Sequence, residues 1–173
     1  MSTVNNSGLV SKIWFPREIL PLSSLLAALV DFGIASTILI GFLWFYNVPL
    51  TIHAAWIFFL VPIQLIMTAG VTLWFNALVV LFRDFKFVIP LLLQTLFYGT
   101  PIIYSINSVP DRFMKLILLN PLTGIIDSYR RSLLLGASPY LYHLGISLVI
   151  GVFLLWTGYW FQKRVDQRFA DII

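Results

Sequence analysis

Apolar residues fall along the chain in four long blocks, separated by short polar breaks. Their cores are Leu25–Phe45, Ala54–Leu73 running on to Phe82, Phe87–Tyr104 and Tyr142–Phe161. A bilayer-crossing helix needs roughly 20 apolar residues, and each block is near that length. The pattern predicts transmembrane helices over about residues 22–46, 54–82, 87–105 and 141–161. The breaks carry turn chemistry: Asn47-Val48-Pro49 after the first block, and Arg83-Asp84-Phe85-Lys86 after the second. No repeat or low-complexity tract interrupts the series. The first residues, Met1–Gly8, are polar and lack the basic start of a signal peptide.

The interval between the third and fourth blocks, residues 106–140, behaves differently. It is too long for a tight turn and too apolar for a solvated loop. Phe113-Met114 and Leu116–Leu119 form one short apolar run. Asn120-Pro121 then reads as an N-cap followed by proline at the first helical position. Ile125, Tyr129 and Leu133 follow at i, i+4 and i+8, and Asp127 and Arg131 stand as a favourable i, i+4 pair. Gly136 is placed to cap the C-terminus, with Pro139 beyond it. The interval predicts two short amphipathic helices that dip into the outer leaflet without crossing. Full crossings are disfavoured because each run is short and Arg130-Arg131 is costly at the bilayer centre.

Composition strengthens the membrane reading. Of 173 residues, 60% are hydrophobic and 10% charged, against about 25% charged in a soluble domain. This excludes a water-soluble globule and a disordered chain. The fold class expected is an all-α membrane protein with four transmembrane helices and two short re-entrant helices between the third and fourth. Four spans put both termini on one side. Lys12, Arg17, Arg83, Lys86, Lys163, Arg164 and Arg168 then share that side, against Arg112, Lys115, Arg130 and Arg131 on the other. The positive-inside rule makes the first side cytoplasmic. The excess of 11 basic over 7 acidic residues therefore speaks about orientation, not nucleic acid. Cysteine is absent, and His53 and His143 stand far apart, so neither disulfides nor a zinc site are expected.

Asp31 is the one acid inside a span. Ser24, Ala28, Asp31 and Ala35 share a helical face of mostly small residues, which is expected to pack into the bundle. Asp31 reads either as a cation or proton site or as a structural hydrogen-bonding group; no second intramembrane acid or base supports a relay. Gln64, Thr68, Thr72 and Asn76 form a mildly polar stripe on the second span, and Gln94, Tyr98, Pro101 and Ser105 another on the third. They read as a hydrated path or as interhelical hydrogen bonds. Pro62, Pro90 and Pro101 are possible kink points. Aromatic residues, 16% of the chain, are mostly placed as interfacial belts, as at Trp44–Tyr46 and Trp156–Phe161. Trp74, Tyr98 and Tyr104 are less obviously belt residues, and flat rings also stack on sugars. No nucleophile–base pair, paired carboxylates or phosphate-binding glycine loop is present, so no enzyme activity and no bound cofactor are expected. Uphill transport would need a partner or an ion gradient.

Four stretches, in order and with matching spacing, resemble ABC-2-type permeases that export polysaccharides and polyol phosphates. They are Ser11–Leu22, with Lys12, Phe15, Pro16 and Arg17; Val80–Pro90; Pro101–Tyr104 followed by Leu119–Arg130; and Arg168–Ile173. The resemblance covers nearly the whole chain as one transmembrane domain. It implies a permease subunit of an ATP-driven exporter in the bacterial inner membrane. Its cargo would be a polysaccharide or lipid-linked glycan such as O-antigen, capsule or teichoic acid. It implies a permease homodimer and a separate ABC ATPase that binds the ATP. It implies an ATPase-coupling interface at Lys12, Phe15, Pro16, Arg17, Glu18, Arg83 and Asp84. The interval 106–140 would hold two periplasmic gate helices, with Asn120, Pro121, Gly124, Tyr129 and Arg130. Trp74, Gln94, Tyr98 and Tyr104 become channel-lining candidates. The family has six spans, and this sequence matches the last four. That leaves a truncated remnant, or a permease completed by a separate N-terminal fragment, as further readings. An ion-coupled carrier using Asp31 is the alternative from another class.

Overall fold

The computed structural model describes residues 19–170, which form helices joined by short turns and irregular stretches, with no strand among them. Chain order is α1 (Ile19–Phe45), a 3-10 turn at Ile52–Trp56, α2 (Ile57–Leu81), α3 (Phe85–Gly99), a 3-10 turn at Ile106–Ser108, α4 (Asp111–Leu119), α5 (Pro121–Leu133) and α6 (Leu141–Ala170). Long apolar runs become helices because lipid offers the backbone no hydrogen-bond partners and a helix satisfies its own. Three stretches are long and apolar enough to cross a membrane: Ser23–Phe45, Ile52–Leu81 and Leu141–Val165.

The third block departs from its expected extent of Phe87–Tyr104. Helix α3 has 15 residues, so it rises only about 22 Å, short of the roughly 30 Å hydrocarbon layer. It stops at Thr100, whose backbone is extended at φ −109° and ψ 138°. The cause is Pro101, which disfavours the helical conformation at its predecessor and donates no N–H. Pro101 thus acts as a terminator, not a kink. The last block departs the other way, since α6 continues past Phe161 to Ala170.

The core is the seam between α2 and α6. Met67 faces Gly151, Gly70 faces Leu154 and Leu155, Trp74 faces Gly158, and Asn76 bonds Gln162. The pairing keeps a nearly constant offset in sequence, so the two helices run parallel. A side chain at Gly70 would collide with the Leu155 nitrogen at 2.6 Å and the Leu154 carbonyl carbon at 2.8 Å. The missing side chains let the two backbones touch, which is how helices associate where hydrophobicity cannot distinguish neighbour from lipid. Leu60, Met67, Ala77 and Val79 of α2 and Leu144 and Val165 of α6 are buried.

Helices α1 and α3 are held differently. In α3 only Ile89 is buried. In the described part of α1 only Leu43 is. Leu25, Ala28, Leu29 and Phe32 of α1 line a small cavity of about 60 Å³ with Val61, Gln64, Leu65 and Thr68 of α2. The expected inward face of α1 is corrected here. Ser24, Ala28, Asp31 and Ala35 are all exposed, and of the four only Ala28 borders this cavity, because α1 turns the bulkier Leu25, Leu29 and Phe32 toward α2.

Candidate functional site

The polar chemistry of the described residues gathers where α5 meets the end of α3. Asn120 begins this arrangement. Its side-chain oxygen accepts from the Leu122 N–H at 3.0 Å, and its extended backbone makes it the N-cap of α5, with Pro121 behind it. Its side-chain nitrogen donates to the Thr100 hydroxyl at 2.8 Å. Thr100 is fully buried and donates to the Leu96 carbonyl at 2.7 Å. One asparagine therefore starts α5 and fastens it to the terminus of α3.

Arg130, 10 positions along, makes the second fastening. Its guanidinium donates to the carbonyls of Ile102 at 3.0 Å, Tyr104 at 3.1 Å and Pro101 at 3.2 Å. These carbonyls belong to the turn that follows the early end of α3. They have lost helical partners, and a planar fork of donors fits several of them at once. The same turn is closed by the Tyr104 hydroxyl donating to the Tyr98 carbonyl at 3.2 Å. Hydrogen bonds with a charged donor are stronger than neutral ones, and more so away from water.

On its other side α5 lies against α6. A side chain at Gly124 would strike the Ser147 hydroxyl and the His143 carbonyl oxygen, the latter at 2.7 Å. Ser147 uses that proximity to donate to the Pro121 carbonyl at 2.6 Å. Ser128 and Ser132 continue the small-residue face and are buried. Gly136 ends the segment with φ +58°, where the left-handed backbone suits glycine. The expected Asp127–Arg131 pair does not form. Arg131 instead donates to the Ser138 carbonyl at 3.0 Å and lies 3.8 Å over the Tyr140 ring. The chain reverses after Gly136 and offers these closer partners. Tyr129 packs its ring against Phe32 at 6.3 Å between centroids. Its buried hydroxyl has no hydrogen-bond partner among the described residues. Burial pushes the phenol up to about 12.

The remaining candidates are dispersed. Trp74 lies in the α2–α6 seam, donating to the Thr157 hydroxyl at 3.0 Å and stacking on Phe161 at 4.8 Å. Gln94 and Tyr98 stand exposed on α3, whereas Tyr104 is half-buried beside Arg130. Arg83 and Asp84 are exposed at the α2–α3 corner. Lys12, Phe15, Pro16, Arg17 and Glu18 lie outside the described residues, as does the motif end Asp171–Ile173. The stripe on α2 divides: Gln64 lines the cavity toward α1, while Asn76 bonds Gln162 at 3.1 Å in the buried seam. The contributions of Thr100, Ser147 and Gln162 were not foreseen. Thr100 directly precedes a proline, and Gln162 is a polar residue beside a belt, so both carried a weak signal.

An all-helical membrane protein with a glycine-seamed helix pair, one short amphipathic helix docked on it and a second beside that one is the class these features define. Residues 9–134 match the ABC-2 type transporter family, and the chain belongs to it. The chain is 30% identical over 173 residues to an O-antigen export system permease protein RfbA of Klebsiella pneumoniae, covering 99% of this chain and 66% of that protein. A second RfbA of the same organism is 31% identical with the same coverage. The RfbA of Myxococcus xanthus is 26% identical over 167 residues, which is 95% of this chain and 64% of that protein. The chain thus spans just under two thirds of the length of these curated relatives.

Proposed function

We propose that the chain is a permease subunit, or the C-terminal part of one, of an ATP-driven exporter that moves a polysaccharide or lipid-linked glycan of the O-antigen type. The observation that carries this is similarity to O-antigen export permeases running through 99% of the chain, including α5 and α6. An ABC ATPase hydrolyses the ATP, and a second permease subunit or a separate N-terminal fragment completes the pathway. The chain sits in the bacterial inner membrane with both termini cytoplasmic, as the distribution of seven against four basic residues favours.

In this reading α3 is the third crossing despite its length. Non-helical backbone is tolerated at membrane depth only where protein satisfies it. Arg130 supplies that satisfaction for the carbonyls of Pro101, Ile102 and Tyr104. Helices α4 and α5 then form the periplasmic gate, and Gln94, Tyr98 and Tyr104 border the glycan path. The coupling surface to the ATPase is Lys12–Glu18 together with Arg83 and Asp84. The ion-coupled alternative is not favoured, since the family is one of ATP-driven permeases and Asp31 stands exposed on α1.

The test is restoration of surface glycan in cells lacking their own O-antigen permease, with the matching ATPase and N-terminal segment supplied. Restored glycan supports the reading. Replacement of Arg17 and Glu18 by Ala should abolish export and leave membrane insertion intact. Normal export by that variant removes the coupling assignment.

A further inference from the structure

The outer face of α6, turned away from the α2 seam, ends in the interfacial aromatic belt, and two cations are stacked on that belt. Val149, Phe153, Trp156 and Trp160 are exposed along it, Trp156 at 72%. Lys163 and Arg164 follow at the end of the apolar run, both exposed. Side chains on a helix lean toward its N-terminus. At this end, that lean carries both cations back toward the hydrocarbon. Arg164 accordingly lies 3.4 Å over the Trp160 ring, and the Lys163 ammonium lies 5.8 Å from the centre of Tyr159. Both are one helical turn back. Neither is paired with a carboxylate whose side chain the structure describes. Two cations are thus held on aromatic platforms at the depth of the headgroup layer, above an open apolar track.

We infer that this face is a binding site for one anionic phospholipid. The headgroup phosphate sits against Arg164 and Lys163, and an acyl chain runs along Trp156 and Phe153 toward Val149. Charge complementarity selects the occupant, because a zwitterionic lipid brings its own cation and gains less. The rings of Trp160 and Tyr159 hold the cations in place, so less side-chain freedom is lost when the phosphate arrives. The basic residues at the α2–α3 corner are at the same end of the bundle but follow α2, and Lys86 stacks on its own neighbour Phe87 at 4.8 Å. They are therefore a control within the same molecule.

The experiment is native mass spectrometry of the full chain, purified in detergent, stripped of lipid and titrated with phosphatidylglycerol or phosphatidylcholine. The expected result is one retained phosphatidylglycerol, preferred over phosphatidylcholine. Each basic residue near an anionic headgroup contributes about fivefold, so Lys163→Gln with Arg164→Gln should weaken retention about thirtyfold. Trp160→Leu, which keeps both charges, should weaken it by a smaller factor. Lys86→Gln should leave it unchanged, and millimolar inorganic phosphate should not displace the lipid. Equal retention of the two lipids by the unmodified chain would overturn the inference, and needs no variant to fold. So would displacement by phosphate alone, an effect of Lys86→Gln equal to that of the double variant, or a chain dimer that the double variant dissolves. The last would assign the face to a second copy.

Discussion

Helices α2 and α3 are both apolar, yet they are treated oppositely by the rest of the chain. Helix α2 buries Leu60, Met67, Gly70, Leu73, Asn76, Ala77 and Val79, whereas α3 buries Ile89 alone. Hydrophobicity does not separate them, since in a bilayer an apolar side chain is equally at home against lipid. Close approach and polar pairing do. Helix α2 offers Gly70 to α6 and donates a hydrogen bond to it from each of Trp74 and Asn76. Gly99, the one glycine of α3, has nothing within 4 Å of where its side chain would stand. The contrast teaches that α2, α5 and α6 form the packed body, while the described parts of α1 and α3 leave most of their sides uncovered by the rest of the chain.

The sharpest way to break this contrast is at the glycines. Gly70→Ala forces a side chain into the α6 backbone, and overpacking of this kind costs about 1–3 kcal/mol. The same change at Gly33 or Gly41 of α1 meets open space, and there the higher helix propensity of alanine favours slight stabilisation. Thermal unfolding of the purified variants in detergent should give opposite signs. A loss at Gly41 as large as at Gly70 would place α1 in the packed body.

Arg130→Gln comes next. It removes a charged donor from three carbonyls, a loss of about 2 kcal/mol. It should raise hydrogen exchange and protease cutting at Pro101–Tyr104 while the α2–α6 seam stays protected. Asn120→Ala should cost about 1 kcal/mol for the cap and loosen the same turn through Thr100. If both variants leave exchange at 101–104 unchanged, α3 is held by something other than α5.

Asn76 and Gln162 sharpen the seam itself. A double-substitution cycle should give a coupling of about 0.6 kcal/mol, the usual value between transmembrane helices. The smallest effect is at Tyr129. Its phenol titrates higher when folded than the ordinary value of 10, toward about 12. The unfolded chain therefore releases this proton first, and stability falls as pH rises from about 10 toward 12 and is unaffected below. Tyr129→Phe should flatten that alkaline fall in a pH series of unfolding temperatures.

How far the fold was legible differs by region for physical reasons. The two short helices were readable to the residue at their joint, because Asn120-Pro121 and Gly136 signal through local backbone chemistry alone. The long helices were readable from apolar length. The end of α3 was not, because the apolar run continues to Tyr104 and only the conformation forced by Pro101 on Thr100 decides it. Asp31 and Trp74 show what a helical face drawn from sequence leaves open. A helical face can be drawn from sequence, but which face meets a neighbour depends on where glycines let backbones touch. Trp74 sits opposite Gly158, whereas Asp31 has no such partner. The clamp of Arg130 on three carbonyls was beyond reach, since it joins elements 26 to 29 residues apart through groups every residue carries.

The central functional claim is that this chain works with an ATPase. The most direct measurement is mass spectrometry of the tagged chain purified gently from its native membrane. The account predicts an ABC ATPase at near-equal amount, and its loss when Arg83 and Asp84 are both replaced by Ala. A chain recovered intact and folded with no ATPase would contradict it.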